Sequence, residues 1–218
     1  MATETKTETA PDLAETIRTA FVEYVLEHGK KPPSIFKFAK SIDLQEAEFY
    51  NYYTSFDHLE EGIWSAMFED TATAIRAEEV WKDYSVREKW LAFYYTLMEV
   101  MKKQRSYILA TYDHPKPHWT PKPLRSFKEH FKGFAMELIS EGVETHEVEQ
   151  RPYLTERYHE ALWGQALFLI NFWINDTSAG FERTDAAIEK SVNLGLDLMG
   201  KGIVDSLVDF AKFMFQSR

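Results

Sequence analysis

Few side chains in this sequence are spaced to make or break a covalent bond. There are no cysteines, which removes disulfides, thiolate metal ligands and cysteine nucleophiles. No Gly-x-Ser-x-Gly, His-Glu-x-x-His or glycine-rich phosphate loop occurs. Asp113, His114 and His118 come nearest to a metal-ligand set. The prolines of "DHPKPHWTPKP" hold them extended, and no second carboxylate–histidine pair stands nearby, so a solvated loop is the simpler reading. Glu141, Glu144, His146, Glu147 and Glu149 read as a solvated charge run. The pattern predicts no catalytic residues, no metal and no cofactor: the chain is expected to bind rather than to react. Two stretches carry noncovalent chemistry. In "LQEAEFYNYYTSFDHLEEG", residues 44–62, five carboxylates (Glu46, Glu48, Asp57, Glu60, Glu61) lie among aromatic rings with no lysine or arginine. Further on, Trp90, Tyr94, Met98, Phe127, Phe131, Phe134, Trp163 and Phe168 supply large apolar surfaces.

Bulk properties bound what these groups can do. The 218 residues are 44% hydrophobic and 15% aromatic, enough to bury a core without disulfides. The formal net charge of −10 repels phosphate backbones and anionic membranes unless positive charge is gathered on one face. "MATETKTETAPD" lacks the apolar core of a signal peptide. The longest apolar run, residues 161–174, is too short to cross a bilayer and contains Gln165 and Asn171. A cytoplasmic protein without a membrane span is expected.

The elements that must position these groups are helical. Residues 1–11 form a polar tail without periodicity. Asp12 with Glu15 opens a first helix bearing Ile17, Phe21 and Val25, which closes at His28-Gly29. After "KKPP", Ser34 caps a short helix, "SIDL" turns, and "QEAEFYNYY" is a second short helix. Ser55 opens a long helix reaching about Glu79. Ser85 and Glu88 form a capping box ahead of Trp90, Phe93, Tyr94, Leu97 and Met98. Leu124, Phe127, Phe131, Phe134 and Leu138 make the next stripe. A helix over 153–174 is apolar all round after Ala161, which predicts burial on every side. Thr184 is expected to cap a last helix running past Met199 to Met214, whose Gly195, Gly200 and Gly202 point either to close backbone approach or to a kink near Gly200-Lys201-Gly202. No stretch alternates with period two. The chain reads as all-α with about nine helices.

Three small helices, a linking helix and a C-terminal bundle resemble the tetracycline-repressor (TetR) family. Local residues agree. Gly29 fits the end of helix one and Ser34 the start of helix two. Phe38-Ala39 replaces the family's Ile-Ala pair, and Leu44 fills the apolar turn position. Phe49-Tyr50 matches the aromatic pair, Tyr53 the following Phe, and Ser55, Asp57 and Leu59 the start of helix four. The resemblance covers residues 13–65 by motif and the rest by architecture. It implies a helix-turn-helix domain over 12–55 and a ligand-binding and dimerisation bundle over 56–218. It also implies a ligand-responsive transcriptional regulator that meets DNA through Ser34, Lys37, Lys40, Gln45, Glu46, Tyr50 and Tyr52. The eight aromatic and methionine positions would then line a bundle cavity for a small apolar ligand or lipid, and the last two helices would form a homodimer.

The departures bear on chemistry. Asp43 stands at the turn glycine, Gln45 at the helix cap, Tyr52 at a histidine position, and Phe56 where a lysine would meet phosphate. Residues 13–60 carry five cations and eight anions. DNA affinity comes largely from neutralised phosphates; Glu can accept from cytosine N4, and tyrosine hydroxyls can donate to phosphate. Lys30, Lys31, Lys37 and Lys40 cluster around helix two and could hold the helix there. An alternative follows from "FWINDTSAGFERT", residues 172–184. It is similar to the end of a bundle helix in a TetR-fold accessory protein of coenzyme-Q biosynthesis that binds lipid and does not act as a repressor. That resemblance implies a lipid- or isoprenoid-binding protein without DNA binding. A dimeric interaction scaffold is a third reading.

Overall fold

The computed structural model describes residues 13–112, 120–200 and Gly202. Among these residues there are nine α-helices and no strand. Asp12, the 1–11 tail, the Asp113–His114–His118 loop, Lys201 and residues 203–218 lie outside the described residues. Two compact units divide after Ile63.

The N-terminal unit holds α1 (Leu13–His28), α2 (Ile35–Ser41), α3 (Glu46–Tyr50) and the first turns of α4 (Phe56–Ala77). The α1 stripe Ile17, Phe21 and Val25 is buried, and the helix stops at Gly29 (φ 65°), whose N–H bonds to Val25 O at 2.8 Å. Ser34 Oγ accepts from Lys37 N at 3.2 Å and caps α2. Asp43, at the turn glycine position, takes φ 56°. Asp tolerates this left-handed geometry better than most side chains do, so the turn survives without glycine. Glu48 closes back on Gln45 N at 2.8 Å, which replaces a serine or threonine cap. Ser55 Oγ accepts from His58 N at 3.1 Å and starts α4.

The core of this unit is a ring cluster. Phe21 and Phe56 stack at 5.4 Å, and Phe38 and Phe49 meet the Phe56 ring edge-on at 5.8 and 6.0 Å. This corrects one expectation. Phe56 is not a phosphate-facing residue where lysine is missing; it is half-buried packing. Gly62 leaves room for the buried Tyr53, since an added Cβ would sit 2.7 Å from its Cε1.

The second unit is built on α5 (Val86–Lys102), α7 (Arg125–Glu144), α8 (Tyr158–Asn175) and α9 (Glu182–Met199), with the short α6 (Arg105–Thr111) beside them. α5 packs on α7 and α9, and α8 on α7 and α9. The Ser85–Glu88 capping box forms, with Ser85 N donating to Glu88 Oε2 at 2.8 Å. The two bonds from Ser85 hold the Glu88 carboxyl below the usual range. Glu147 adds to this cap by accepting from Val86 N at 3.0 Å. Glu141 pairs with the buried Lys89. The 141–149 segment is therefore no solvated charge run; two of its carboxylates secure α5.

The hairpin joining α8 and α9 also differs from expectation. α8 begins at Tyr158, after a single 3-10 turn (Thr155–Arg157). Within one chain it is not buried all round: Phe168 is 51% exposed. Thr184 is not a cap. Its N–H and hydroxyl donate to Asp176 Oδ2 at 2.9 and 2.7 Å, while Ser178 N and Oγ donate to Oδ1 at 2.8 and 2.7 Å. Burial alone would raise the Asp176 pKa, but these four bonds outweigh it and hold the carboxyl far below the usual range. Arg105 closes the α8 end by donating to the carbonyls of Trp173, Ile174 and Asp176 at 3.1–3.3 Å. Its guanidinium lies 4.3 and 4.6 Å from the Trp173 and Phe181 ring centres. α9 ends at Met199 with Gly200 as its cap.

Candidate functional site

On the N-terminal unit the helix-turn-helix residues reach solvent from α2, the Asp43 turn and α3. Ser34, Lys37, Lys40, Gln45, Tyr50 and Tyr52 are exposed and Glu46 is partly so. Phe49, fully buried, and Tyr53, nearly so, hold α3 from beneath. The cations divide into two groups. Arg18 donates to Tyr53 Oη at 3.0 Å. Lys31 is held by Glu60 at 2.7 Å and Asp57 at 3.1 Å. Partial burial works to lower the Lys31 pKa, but its two carboxylate partners outweigh this and raise it. Burial pushes Glu60 up, against the pull of Lys31. Lys37 and Lys40 are exposed on α2 and form no ion pair among the described residues. Tyr50 Oη lies 3.4 Å from Glu46 Oε1 as a donor. Such a surface can hydrogen-bond phosphates and base edges while neutralising few charges.

In the second unit, six of the eight expected pocket residues come together in one ring cluster, while Met98 lines a separate recess with Trp173 and Phe181. Trp90, Tyr94, Met98, Phe127, Phe131, Phe134 and Trp163 are buried. The Trp90 ring lies 5.8 Å from Tyr94, 5.7 Å from Phe131 and 5.6 Å from Phe134, and Trp163 lies 5.6 Å from Phe131. Few polar groups enter this cluster. Tyr94 Oη donates to Gln165 Oε1 at 3.3 Å and Trp163 Nε1 to Thr120 Oγ1 at 3.1 Å. Trp90 Nε1 is buried without an acceptor among the described residues. Phe168 does not join the cluster.

Phe168 belongs to a different feature, one that the sequence reading missed. An open groove of about 590 Å³ runs between α8 and α9, and its walls include Leu154, Ala161, Gly164, Phe168, Leu194 and Leu198. No charged residue lines it. Leu194 and Leu198 are 59% and 39% exposed. Ala161, Gly164 and Phe168 at helical spacing were the available signal, but uniform apolarity along α8 hid which face they occupy.

One further constellation resembles a relay without its geometry. Ser65 Oγ and Glu69 Oε1 lie 3.3 and 3.6 Å from the same His130 nitrogen, Nδ1. A serine–histidine–acid relay needs the two partners on opposite ring nitrogens. The Asp176–Ser178–Thr184 set likewise offers no spare group, because its members bond one another.

Comparison with known proteins agrees with this architecture. The family model for the tetracyclin repressor-like C-terminal domain matches residues 89–214, more than half of the chain. The chain belongs to the TetR family. Solved structures share the fold at low identity. A Shewanella sp. PV-4 protein described as a TetR-family transcription regulator is 13% identical, with a TM-score of 0.56 over 86% of this chain and 98% of its own. A Rhodococcus sp. RHA1 protein of unknown function is 9% identical, with a TM-score of 0.55 over 90% and 100%. A transcriptional regulator of Cytophaga hutchinsonii is 16% identical, with a TM-score of 0.50 over 86% and 98%. No curated protein sequence matches this TetR chain. Among the described residues no helix is long and apolar enough to cross a membrane.

Proposed function

We propose that this TetR-family chain is a dimeric transcription regulator that binds DNA through α2 and α3 and responds to a small apolar ligand. The observation that carries this reading is the intact helix-turn-helix with Lys37 and Lys40 exposed and without an ion pair among the described residues. Lys37 and Lys40 meet phosphate from α2, with Ser34, Tyr50 and Tyr52 as uncharged hydrogen-bonding groups. Gln45 and Glu46 face base edges. Two copies join through the uncharged α8–α9 face, which apolar burial favours. The ligand enters among Trp90, Tyr94, Phe127, Phe131, Phe134 and Trp163, displacing α5 against α7 and α8. α4, which continues from one unit into the other, carries the response, so ligand and DNA affinities are coupled.

Fluorescence anisotropy with a labelled fragment from upstream of the protein's own gene tests this. Saturable, salt-sensitive binding is expected, weakened by Lys37→Glu and made tighter but less selective by Glu46→Lys. A folded protein that shows no binding at low salt would refute the DNA reading.

A second reading is a lipid-binding protein whose helix-turn-helix is structural. The capture of Lys31 by Glu60 and Asp57 favours it, because that cation is withdrawn from phosphate. Native mass spectrometry followed by organic extraction separates the two: co-purified isoprenoid together with absent DNA binding supports the second.

A further inference from the structure

Tyr153 is the most exposed large hydrophobic residue described, at 86%, and its backbone is left-handed with φ 65°. For a tyrosine this conformation costs about 1–2 kcal/mol relative to the right-handed regions. It persists only where its surroundings over-determine it. Here they do. Arg151 N donates to Thr155 Oγ1 at 2.8 Å, and Thr155 N and Oγ1 donate to Arg151 O at 3.1 and 3.0 Å, closing a five-residue turn around Tyr153. The buried Arg151 guanidinium then ties that turn to the end of α9. It donates to Met199 O at 3.0 Å, to Gly200 O at 2.7 Å and to Tyr158 Oη at 2.8 Å. Among the described residues the Tyr153 ring has no ring contact or hydrogen bond. No ring contact or hydrogen bond of the side chain among the described residues repays the strain, yet the display is rigidly built.

The neighbouring residue, Leu154, lines the α8–α9 groove, so a projecting ring and an apolar recess stand side by side. We infer that Tyr153 anchors a symmetric contact with a second copy of this chain, its ring buried against the partner's α8–α9 face. The inference rests on the dimer reading and names the residue that carries it. Three observations choose a second copy as the occupant. A twofold contact brings residues near the axis against their own copies, where like charges would repel, and the groove has no charged lining. A projection beside a recess is self-complementary under such a twofold. Gly164, inside α8, has nothing within 4 Å of where a Cβ would be, so its cost in helix propensity of about 1 kcal/mol has no beneficiary among the described residues; a facing helix would use the space. Tyrosine is also among the residues that dominate interface energetics.

The test is sedimentation velocity of the full chain across a concentration series, for wild type, Tyr153→Gly, Tyr153→Phe and Leu194→Glu. Thermal melts of each are taken under dissociating dilution. Tyr153→Gly is expected to raise the dimer Kd about 30-fold or more. Its dissociated form should melt no lower than wild type, because glycine relieves the left-handed strain. Tyr153→Phe should stay within about threefold of wild type, and Leu194→Glu should raise the Kd about 100-fold. A wild-type dimer broken by Leu194→Glu but untouched by Tyr153→Gly overturns the inference and leaves the dimer standing. A wild-type monomer at micromolar concentration, with a groove that does not take up bis-ANS, means the groove is covered within one chain and overturns both.

Discussion

Set the solvent face of α2–α3 beside that of α8–α9. The first presents Lys37, Lys40, Gln45, Glu46, Tyr50 and Tyr52: charges of both signs with hydroxyls between them. The second presents Ala161, Gly164, Phe168, Leu194 and Leu198 with no charge in the groove. Both stand on packed rings, Phe21, Phe38, Phe49 and the half-buried Phe56 under the first, and Trp90, Phe131, Phe134 and Trp163 within the unit that bears the second. Aromatic burial thus supports both surfaces, while exposed composition sets what each can meet. A mixed-charge face suits a polar, hydrated partner; a neutral apolar face suits a copy of itself.

The contrast can be broken from either side. The largest effect is expected at Asp176. Asp176→Ala leaves the buried Thr184 hydroxyl and N–H without their acceptor, and hydrogen bonds to a charged group are worth about 1.5–3 kcal/mol each. A loss of about 3 kcal/mol or more in denaturant unfolding should result. Because the folded-state pKa of Asp176 is depressed, its contribution is present above its unfolded value near 3.8. That contribution fades as pH falls below this value toward the folded one. The acid limb of the wild-type stability curve should therefore be steeper than that of Asp176→Ala. If the two limbs coincide, the four-bond geometry is not what stabilises the hairpin.

Next comes the apolar face. Leu194→Glu should raise the dimer Kd by about 100-fold, roughly 2.7 kcal/mol, with the secondary structure retained by circular dichroism. On the N-terminal side, Gly62→Ala forces a Cβ into the Tyr53 ring. Overpacking costs typically about 1–3 kcal/mol, and better helix propensity returns about 1 kcal/mol. A net loss of up to about 2 kcal/mol is expected, read by hydrogen exchange of α1–α3 amides. The smallest effect separates the two groups of cations. Lys37→Gln should reduce the magnitude of the log Kd–log salt slope by about 1 per copy, whereas Lys31→Gln should leave it unchanged, since Lys31 is already paired. Equal changes would show that Lys31 leaves its carboxylates on binding.

What could be read from sequence was what local pattern determines. The caps at Ser34, Ser55 and Ser85, the α1 stripe and the end at Gly29 all depend on residues within four positions of one another. The Asp43 turn was readable for the same reason. What escaped depends on partners distant along the chain. Glu141 looked solvated because Lys89 is 52 positions away, and Glu147 because Val86 is 61 positions away. Phe56 looked like a missing lysine until Phe21, Phe38 and Phe49 closed around it. Thr184 was taken for a cap because its acceptor, Asp176, precedes the helix by a whole turn segment. Phe168 was misplaced for another reason. A helix apolar on every side has no polar face to orient it, so its sequence does not say which residues remain exposed. The helix-turn-helix candidates are exposed on adjoining elements, but what they touch is set by a partner and not by the fold.

The most direct test is fluorescence anisotropy of this chain on the fragment upstream of its gene, titrated from low to high salt. Lys30, Lys37 and Lys40 are the cations of helices one to three left outside the bonds to Tyr53, Asp57 and Glu60. Saturable binding is predicted, with a log–log slope no steeper than about −5 for two copies carrying these three cations each. A folded protein with no saturable binding at the lowest salt would contradict the proposed role of α2 and α3.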